Sequence, residues 1–356
     1  YLGLIVGALF AGLVYVVIAL IVKFAGVNWI NKLMPKQVIG PTVTIIGLSL
    51  AGNAVGDLQK GGFTDAAGNP TANVFVAIIC GLVTLAVTML CSVYGKKTIK
   101  LIPFIVGILS GYAVGAIFTA ISAKTGNDAF HVINFSLFTQ MDKFFAIPDF
   151  TFLTAVKGLK EIDGAYIGSL AVAYIPVAFV VFAEHIADHK NISSIIEKDL
   201  LEEPGLHRTL LGDGVGSIVG SVFGGCPNTT YGESIACVAI TGNASVYTIL
   251  TASVMAMLIA FINPFVVFVN SIPSCVMGGV CIALYGFIAV SGLKMIKTVD
   301  LEDNTNLFTV SVILIAGIGG LALTFGKVTV TSIATALILG ILTNIMLSKK
   351  SKKANN

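Results

Sequence analysis

Two acidic residues four positions apart lie within an otherwise apolar stretch of the chain. Glu184 and Asp188 follow the apolar run 165–183, and residues four apart share one face of a helix. A carboxylate near the centre of a bilayer costs about 3 kcal/mol on insertion scales, so it must face a cavity, pair with another group or hold a proton. The two side chains are therefore candidates for binding a ligand or carrying a proton. The alternative is that both lie at a helix end, among lipid headgroups.

A second polar cluster, residues 224–233, separates the apolar pieces 213–224 and 231–241, each too short to cross a bilayer. Non-helical backbone at membrane depth is tolerated only where it is buried in protein or lines a cavity. Glu233 stands where the second piece begins, and a helix N-terminus offers free N–H groups and a partial positive charge. Those donors could bind the carbonyls of a ligand while Glu233 and Glu184 accept from its N–H groups, which suits a planar, amide-like ring. The alternative is that Glu233 only caps its own half-helix.

His185 and His189 are also four apart with Asp188 between them, a loose variant of a zinc-binding helix pattern. A metal site needs three or four ligands, and no further His or Cys cluster in the sequence supplies the third. We therefore predict no metal, no other cofactor and no enzymatic activity. An intramembrane metalloenzyme stays a distant alternative.

The elements that must position these residues are membrane helices. With 56% hydrophobic residues, 11% charged residues and a mean hydropathy of +0.95, the 356-residue chain is too apolar for a soluble domain. The composition predicts an all-α polytopic membrane protein with lipid as a partner, and the small net charge of +3 argues against nucleic acid. Besides the two half-length pieces, spans are predicted at 2–23, 37–55, 73–94, 99–122, 165–188, 246–269, 276–293, 305–325 and 328–348.

Lysine and arginine concentrate in alternate connections, so the positive-inside rule places those connections in the cytoplasm. The chain then starts outside, and the lysine-rich tail 349–356 is cytoplasmic. Seven crossings follow the long connection 123–164 but only four precede it, whereas many transporters are built from two inverted repeats. If the halves match, the chain is N-terminally truncated and holds about eleven of an expected fourteen helices.

Five motifs carry a resemblance to a known family: Phe182–His189 (FAEHIADH), Pro204–Gly214 (PGLHRTLLGDG), Pro227–Glu233 (PNTTYGE), Met277–Val280 (MGGV) and Leu284–Gly286 (LYG). On these residues the chain resembles the nucleobase/ascorbate transporters, also called nucleobase-cation symporters, most closely the bacterial members that carry uracil. The resemblance covers essentially the whole chain.

The resemblance implies an inverted-repeat fold in which a core domain moves against a gate domain. It further implies a homodimer in the bacterial cytoplasmic (inner) membrane and proton-coupled, elevator-like transport. The core would comprise 1–34 and 165–271 and the gate 36–122 and 272–348, with 123–164 as an extracellular connection.

By the same resemblance, Glu184 and Glu233 bind the N–H groups of a nucleobase. Tyr231 and Gly232 add contacts and backbone from a short strand, and Asp188 and Glu184 serve proton coupling. Ser234, a neighbour of this site, departs from the family pattern, which usually has Asn there. The change removes an amide that could orient the ring.

The expected function is therefore uracil uptake by proton symport, with a small-molecule nucleobase as the partner. The alternatives are a xanthine or purine nucleobase permease and, more distantly, an anion carrier or a non-transporting fragment.

Overall fold

The computed structural model describes residues 2–63, 71–96, 98–147, 150–161, 163–232, 234–235, 238, 242–325 and 328–354. Most of these residues are helical. The helices are α1 (Leu2–Ala25), α2 (Asn28–Leu33), α3 (Lys36–Ser49), α4 (Ala51–Leu58), α5 (Val74–Tyr94), α6 (Thr98–Leu101), α7 (Pro103–Thr125), α8 (Ser136–Thr139), α9 (Thr151–Ala155), α10 (Gly164–Ile196), α11 (Leu206–Val222), α12 (Val246–Ile259), α13 (Asn263–Ser271), α14 (Ser274–Ile296), α15 (Asn304–Ile318) and α16 (Ser332–Ala354). Short 3₁₀ turns lie at Asp128–Phe130 and Val156–Glu161, and a π turn lies at Leu201–Gly205.

Membrane-spanning helices dominate the described part of the chain and confirm the predicted all-α polytopic fold. Six stretches there are long and apolar enough to cross a bilayer: Leu2–Ala25, Lys36–Leu58, Val74–Tyr94, Pro103–Thr125, Gly164–Ser193 and Ser274–Ile296. Three shorter apolar helices accompany them, at Val246–Ile259, Asn304–Ile318 and Ser332–Ser348.

Helix ends follow local sequence signals. Asp163 caps the start of α10, because its side chain accepts a hydrogen bond from the Tyr166 N–H. Pro103 opens α7, where a missing N–H costs nothing, and Gly126 ends it with a φ of +68°. Helix α10 runs for 33 residues, with Pro176 inside it, and ends at Ile196; Glu197 follows as its C-cap in the left-handed conformation.

The predicted span 246–269 is not one helix. It divides into α12 and α13, with Ile262 between them forming an isolated bridge to Phe145. Pro264 explains the break, since proline lacks an N–H and is accepted only in the first turn of a helix. The Asn263 side chain secures the break by donating to the Lys143 carbonyl at 2.8 Å.

The predicted spans 305–325 and 328–348 are also corrected. Helix α15 ends at Ile318, before Gly319 and Gly320. An antiparallel pair of strands then follows, β1 (Leu323–Phe325) and β2 (Val328–Val330), in which Thr324 faces Thr329. The β-branched residues of β2 favour a strand over the start of a helix.

The chain divides into two compact units, each with its own core. One comprises Tyr1–Ser49, Asp149–Ala236 and Ile288–Asn356, and buries a cluster that includes Tyr15, Phe182 and Leu210. The other comprises Leu50–Pro148 and Cys237–Phe287, and buries a smaller cluster around Cys80, Val132 and Cys275. This division reflects packing in one conformation, whereas the core and gate are defined by relative motion, so those domain limits stay a prediction.

Candidate functional site

Helix α10 presents two polar pairs on different faces within one buried stretch. Asp188 is 9% exposed, and Glu184, one turn before it, is half-buried. His185 is 1% exposed, and its ring stacks on His189 at a centroid separation of 4.2 Å. The four-residue spacing therefore produces an acidic face and a histidine face side by side.

The acidic face meets the irregular segment, defined here as residues 224–231. The Thr230 hydroxyl donates a hydrogen bond of 2.6 Å to Asp188 Oδ2. A Cβ added to Gly232, the next residue after the segment, would lie 3.1 Å from Asp188 Oδ1. A side chain at this position would push the carboxylate back by a few tenths of an ångström, so glycine suits the close approach.

Helix α11 holds the irregular segment in place. Ser217, which is 2% exposed, accepts a hydrogen bond of 2.8 Å from the Asn228 N–H and donates one of 3.1 Å to the Asn228 carbonyl. Gly216 and Gly220 on the same helix leave room for the Asn228 amide. One buried hydroxyl thus satisfies both main-chain groups of a non-helical residue that is itself exposed.

A third glycine of α11 lets that helix pack tightly against α1. A Cβ added to Gly214 would lie 2.9 Å from the Gly12 carbonyl oxygen and 2.9 Å from Tyr15 Cβ. The backbones of the two helices therefore touch at this point, as small residues at membrane helix contacts allow. The segment, α11 and α1 consequently form one packed assembly beside α10.

The structure brings together some of the predicted site residues. Asp188 and Gly232 are adjacent, whereas Tyr231 is 64% exposed. Ser234 is helical, and its N–H bonds to the Tyr231 carbonyl at 3.0 Å. Glu233 lies outside the described residues. Among residues 225–231 the backbone is irregular, and the strand implied by the resemblance is not formed there.

Other residues of the arrangement had no role assigned from sequence. Thr230 and Asp213 lie inside the motifs, but a single hydroxyl or acid in a motif does not reveal its partner. His185 entered only through the metal hypothesis. Its ring nitrogens instead contact Asp213 Oδ2 at 2.9 Å and Thr209 Oγ1 at 3.0 Å. Within the described residues, no group of three His, Cys, Asp or Glu side chains is arranged to hold a metal ion.

Thr209 and Asp213 are four residues apart on α11, so they share one helix face, and that face meets His185 of α10. This spacing is the sequence signal from which the pairing could have been predicted. A carboxylate facing non-helical backbone, with a hydroxyl donor beside it, can accept hydrogen bonds from a small polar ligand and can bind a proton. Both roles suit a site inside a membrane.

Comparison with known proteins identifies the family. A profile described as the Permease family matches residues 3–326. The uracil permease of Bacillus caldolyticus is 38% identical over 359 residues, covering 99% of this chain and 76% of that protein. The uracil permease of Bacillus subtilis (strain 168) is 36% identical over 356 residues, covering 98% and 76%. The uracil permease of Escherichia coli (strain K12) is 33% identical over 337 residues, covering 94% and 72%.

These matches extend far beyond the five motifs and reach both compact units. They confirm the resemblance drawn from the sequence, and permeases are transporters, not enzymes. The chain therefore belongs to the permease family, the nucleobase/ascorbate transporters, and is a multi-pass membrane protein that transports a small molecule.

Proposed function

We propose that this permease carries uracil into the cell together with protons. Three relatives named as uracil permeases align with at least 94% of the chain. Uracil is a neutral ring with two N–H donors and two carbonyl acceptors. A site with carboxylates for the donors and backbone N–H groups for the acceptors matches this pattern.

The observation that carries the proposal is the contact of Asp188 with Thr230 and Gly232. A buried acid on a long helix accepts a hydrogen bond from Thr230, which lies in non-helical backbone, and it lies close to Gly232. Glu184 lies one turn away on the same helix. We assign Glu184 and Glu233 to the uracil N–H groups, and Tyr231 and Gly232 to the remaining contacts.

Proton coupling follows from the electrostatics of such a site. A site with several carboxylates carries a charge that is costly to move through a low-dielectric region. A proton on Asp188 or Glu184 removes one charge, so the loaded site crosses at lower cost than the empty, ionised one. The movement in this proposal is elevator-like, with the core domain carrying the site past the gate domain.

The wider setting belongs to the same proposal. The protein acts as a homodimer in the bacterial cytoplasmic membrane. The lysine distribution supports a C-terminal tail on the inner side. The coupling ion is H⁺, with no cofactor.

Glu184→Gln tests the assignment in the protein expressed from its complete reading frame. Glutamine keeps the size of the side chain but replaces an acceptor oxygen with a donor, so radiolabelled uracil uptake should fall at least tenfold, as a lost charged hydrogen bond of about 1.5–3 kcal/mol implies. Glu197→Gln is the matched control, because Glu197 is exposed at the end of the same helix. Equal uptake by the two variants would refute the assignment.

Competition by excess unlabelled bases measures the substrate choice. Uracil should abolish the labelled signal, whereas stronger inhibition by xanthine would identify a purine permease instead.

A protonophore should stop the accumulation of uracil. Uptake that persists in its presence would refute proton coupling.

A further inference from the structure

The Tyr15 hydroxyl on α1 is a buried polar group with no task in the transport scheme. Tyr15 is 2% exposed, and its hydroxyl has no hydrogen-bond partner among the described residues. A buried hydroxyl that makes no hydrogen bond is unfavourable, because it has given up its bonds to water. Such groups are rare in folded proteins, and a role in function is one of the explanations for them.

Packing holds the Tyr15 side chain at both ends. A Cβ added to Gly214 of α11 would lie 2.9 Å from Tyr15 Cβ, so α1 and α11 meet at the base of the side chain. The Tyr15 ring lies 6.0 Å from the His185 ring of α10, at an interplanar angle of 59°. The side chain also belongs to the buried cluster that contains Phe182. The position of the hydroxyl is therefore set by the fold before any ligand binds.

Two carboxylates are the charged neighbours of this hydroxyl. Asp213 of α11 exerts the stronger electrostatic effect on the phenol, and Glu184 of α10 exerts the second. Asp213 is already engaged, since its Oδ2 lies 2.9 Å from His185 Nδ1. Glu184 is the acid that the proposed function assigns to an N–H group of uracil. The Tyr15 hydroxyl thus lies near a carboxylate that contacts the ligand in that proposal.

A donor and an acceptor close together match one edge of uracil. Each ring N–H of uracil is bonded to a carbonyl carbon, so the ring presents a donor and an acceptor next to each other. An ionised carboxylate can only accept a hydrogen bond, whereas a phenol can donate one. Glu184 and Tyr15 together therefore supply the complement of such an edge.

We propose that Tyr15 is a further substrate-binding residue, whose hydroxyl donates to the uracil carbonyl next to the N–H that Glu184 binds. This inference rests on the proposed function. The hydrogen bond exists only when uracil is bound, so binding removes the unfavourable free energy of the unpaired hydroxyl and gains affinity from it. A ring without an acceptor at that position leaves the hydroxyl unpaired and is selected against.

Tyr15→Phe in the complete protein removes the hydroxyl and keeps the ring that lies against His185. Without ligand, the variant should unfold at the temperature of the parent or above it, because an unpaired hydroxyl contributes no bond. Purified Tyr15→Phe should bind radiolabelled uracil about five- to tenfold more weakly than the parent. Tyr166→Phe is the matched control, since Tyr166 is 45% exposed near the start of α10, and it should change neither quantity.

Thio analogues of uracil test the hydrogen bond itself. In 2-thiouracil and 4-thiouracil, one carbonyl oxygen is replaced with sulfur, which is a weak hydrogen-bond acceptor. One of the two analogues should bind the parent more weakly than uracil does, and this preference for uracil should be about fivefold smaller in Tyr15→Phe. A steric cost of the larger sulfur is common to both proteins, so it cancels in this double-mutant cycle.

A lower unfolding temperature of ligand-free Tyr15→Phe would show that the hydroxyl is already bonded, for example to a buried water, and would overturn the inference. Equal uracil affinities of Tyr15→Phe and the parent would overturn it as well. The same is true of a preference for uracil over both analogues that is equal in the two proteins. A parent that does not bind uracil would refute the proposed function, and this inference with it.

Discussion

Replacing Ser217 with alanine should weaken uracil binding, although Ser217 does not touch the substrate in our proposal. The Ser217 hydroxyl makes two hydrogen bonds to Asn228, of 2.8 and 3.1 Å. Each such bond contributes about 1 kcal/mol net, so alanine should cost about 2 kcal/mol of the free energy that docks the irregular segment. This corresponds to about 30-fold in the docking equilibrium.

The effect on binding has an upper limit set by that equilibrium. The apparent affinity for uracil is the intrinsic affinity multiplied by the fraction of molecules in which the segment is docked. Uracil should therefore bind at most about 30-fold more weakly. The loss is smaller if water replaces the hydroxyl, which the exposure of Asn228 permits. Uptake kinetics of the complete protein should show a raised apparent KM with a much smaller change in the maximal rate.

Ser221→Ala is the matched control. Ser221 is 1% exposed on the same helix, but its hydroxyl donates only to the Ser217 carbonyl within that helix, at 2.7 Å. Ser221→Ala should change the affinity for uracil by less than threefold, because a hydroxyl that donates to a carbonyl of its own helix adds little stability. Equal losses of uracil affinity in Ser217→Ala and Ser221→Ala would show that docking of the irregular segment does not depend on the Ser217 hydroxyl.

Two further substitutions probe the contacts around the site. Thr230→Val removes the donor to Asp188 Oδ2 while keeping the side-chain shape, so uracil uptake should fall about tenfold, whereas Thr230→Ser should restore it and Thr229→Val should leave it near the parent value. Uptake by Thr230→Val equal to that of Thr229→Val would contradict this. Gly214→Ala forces a Cβ to within 2.9 Å of the Gly12 carbonyl, so thermal unfolding in detergent should show a loss of about 1–3 kcal/mol. Gly212→Ala, which meets nothing within 4 Å, should be neutral or stabilising, and the same unfolding temperature for both would disprove the helix contact.

The sequence predicted the helical membrane fold because hydropathy over about 20 residues is a strong signal. It located the spans of α1, α5 and α10 to within a few residues, apart from the C-terminal extension of α10 to Ile196. It missed the division between α12 and α13 and the β1–β2 pair, because a break of a few residues hardly changes the average hydropathy of a window. Pro264 and the Gly319–Gly320 pair were the local signals in those places.

The site was predictable in part. The spacing of Glu184 and Asp188 gives their common face, since helix geometry fixes it. Which side chains from α11 meet that helix depends on the rotation of α11 about its own axis, which no local pattern sets. For this reason Thr209 and Asp213 emerged only from the structure. The contact of Ser217 with Asn228 was likewise visible only there.

The length of α10 has a mechanical consequence. At 1.5 Å per residue its 33 residues measure about 50 Å, whereas the hydrocarbon layer is about 30 Å thick. The surplus extends into the aqueous phase or tilts the helix, and Pro176 removes one backbone hydrogen bond inside it. Because Pro176 precedes Asp188, a movement of the C-terminal end at Ile196 would reach Asp188 through helix that no proline interrupts.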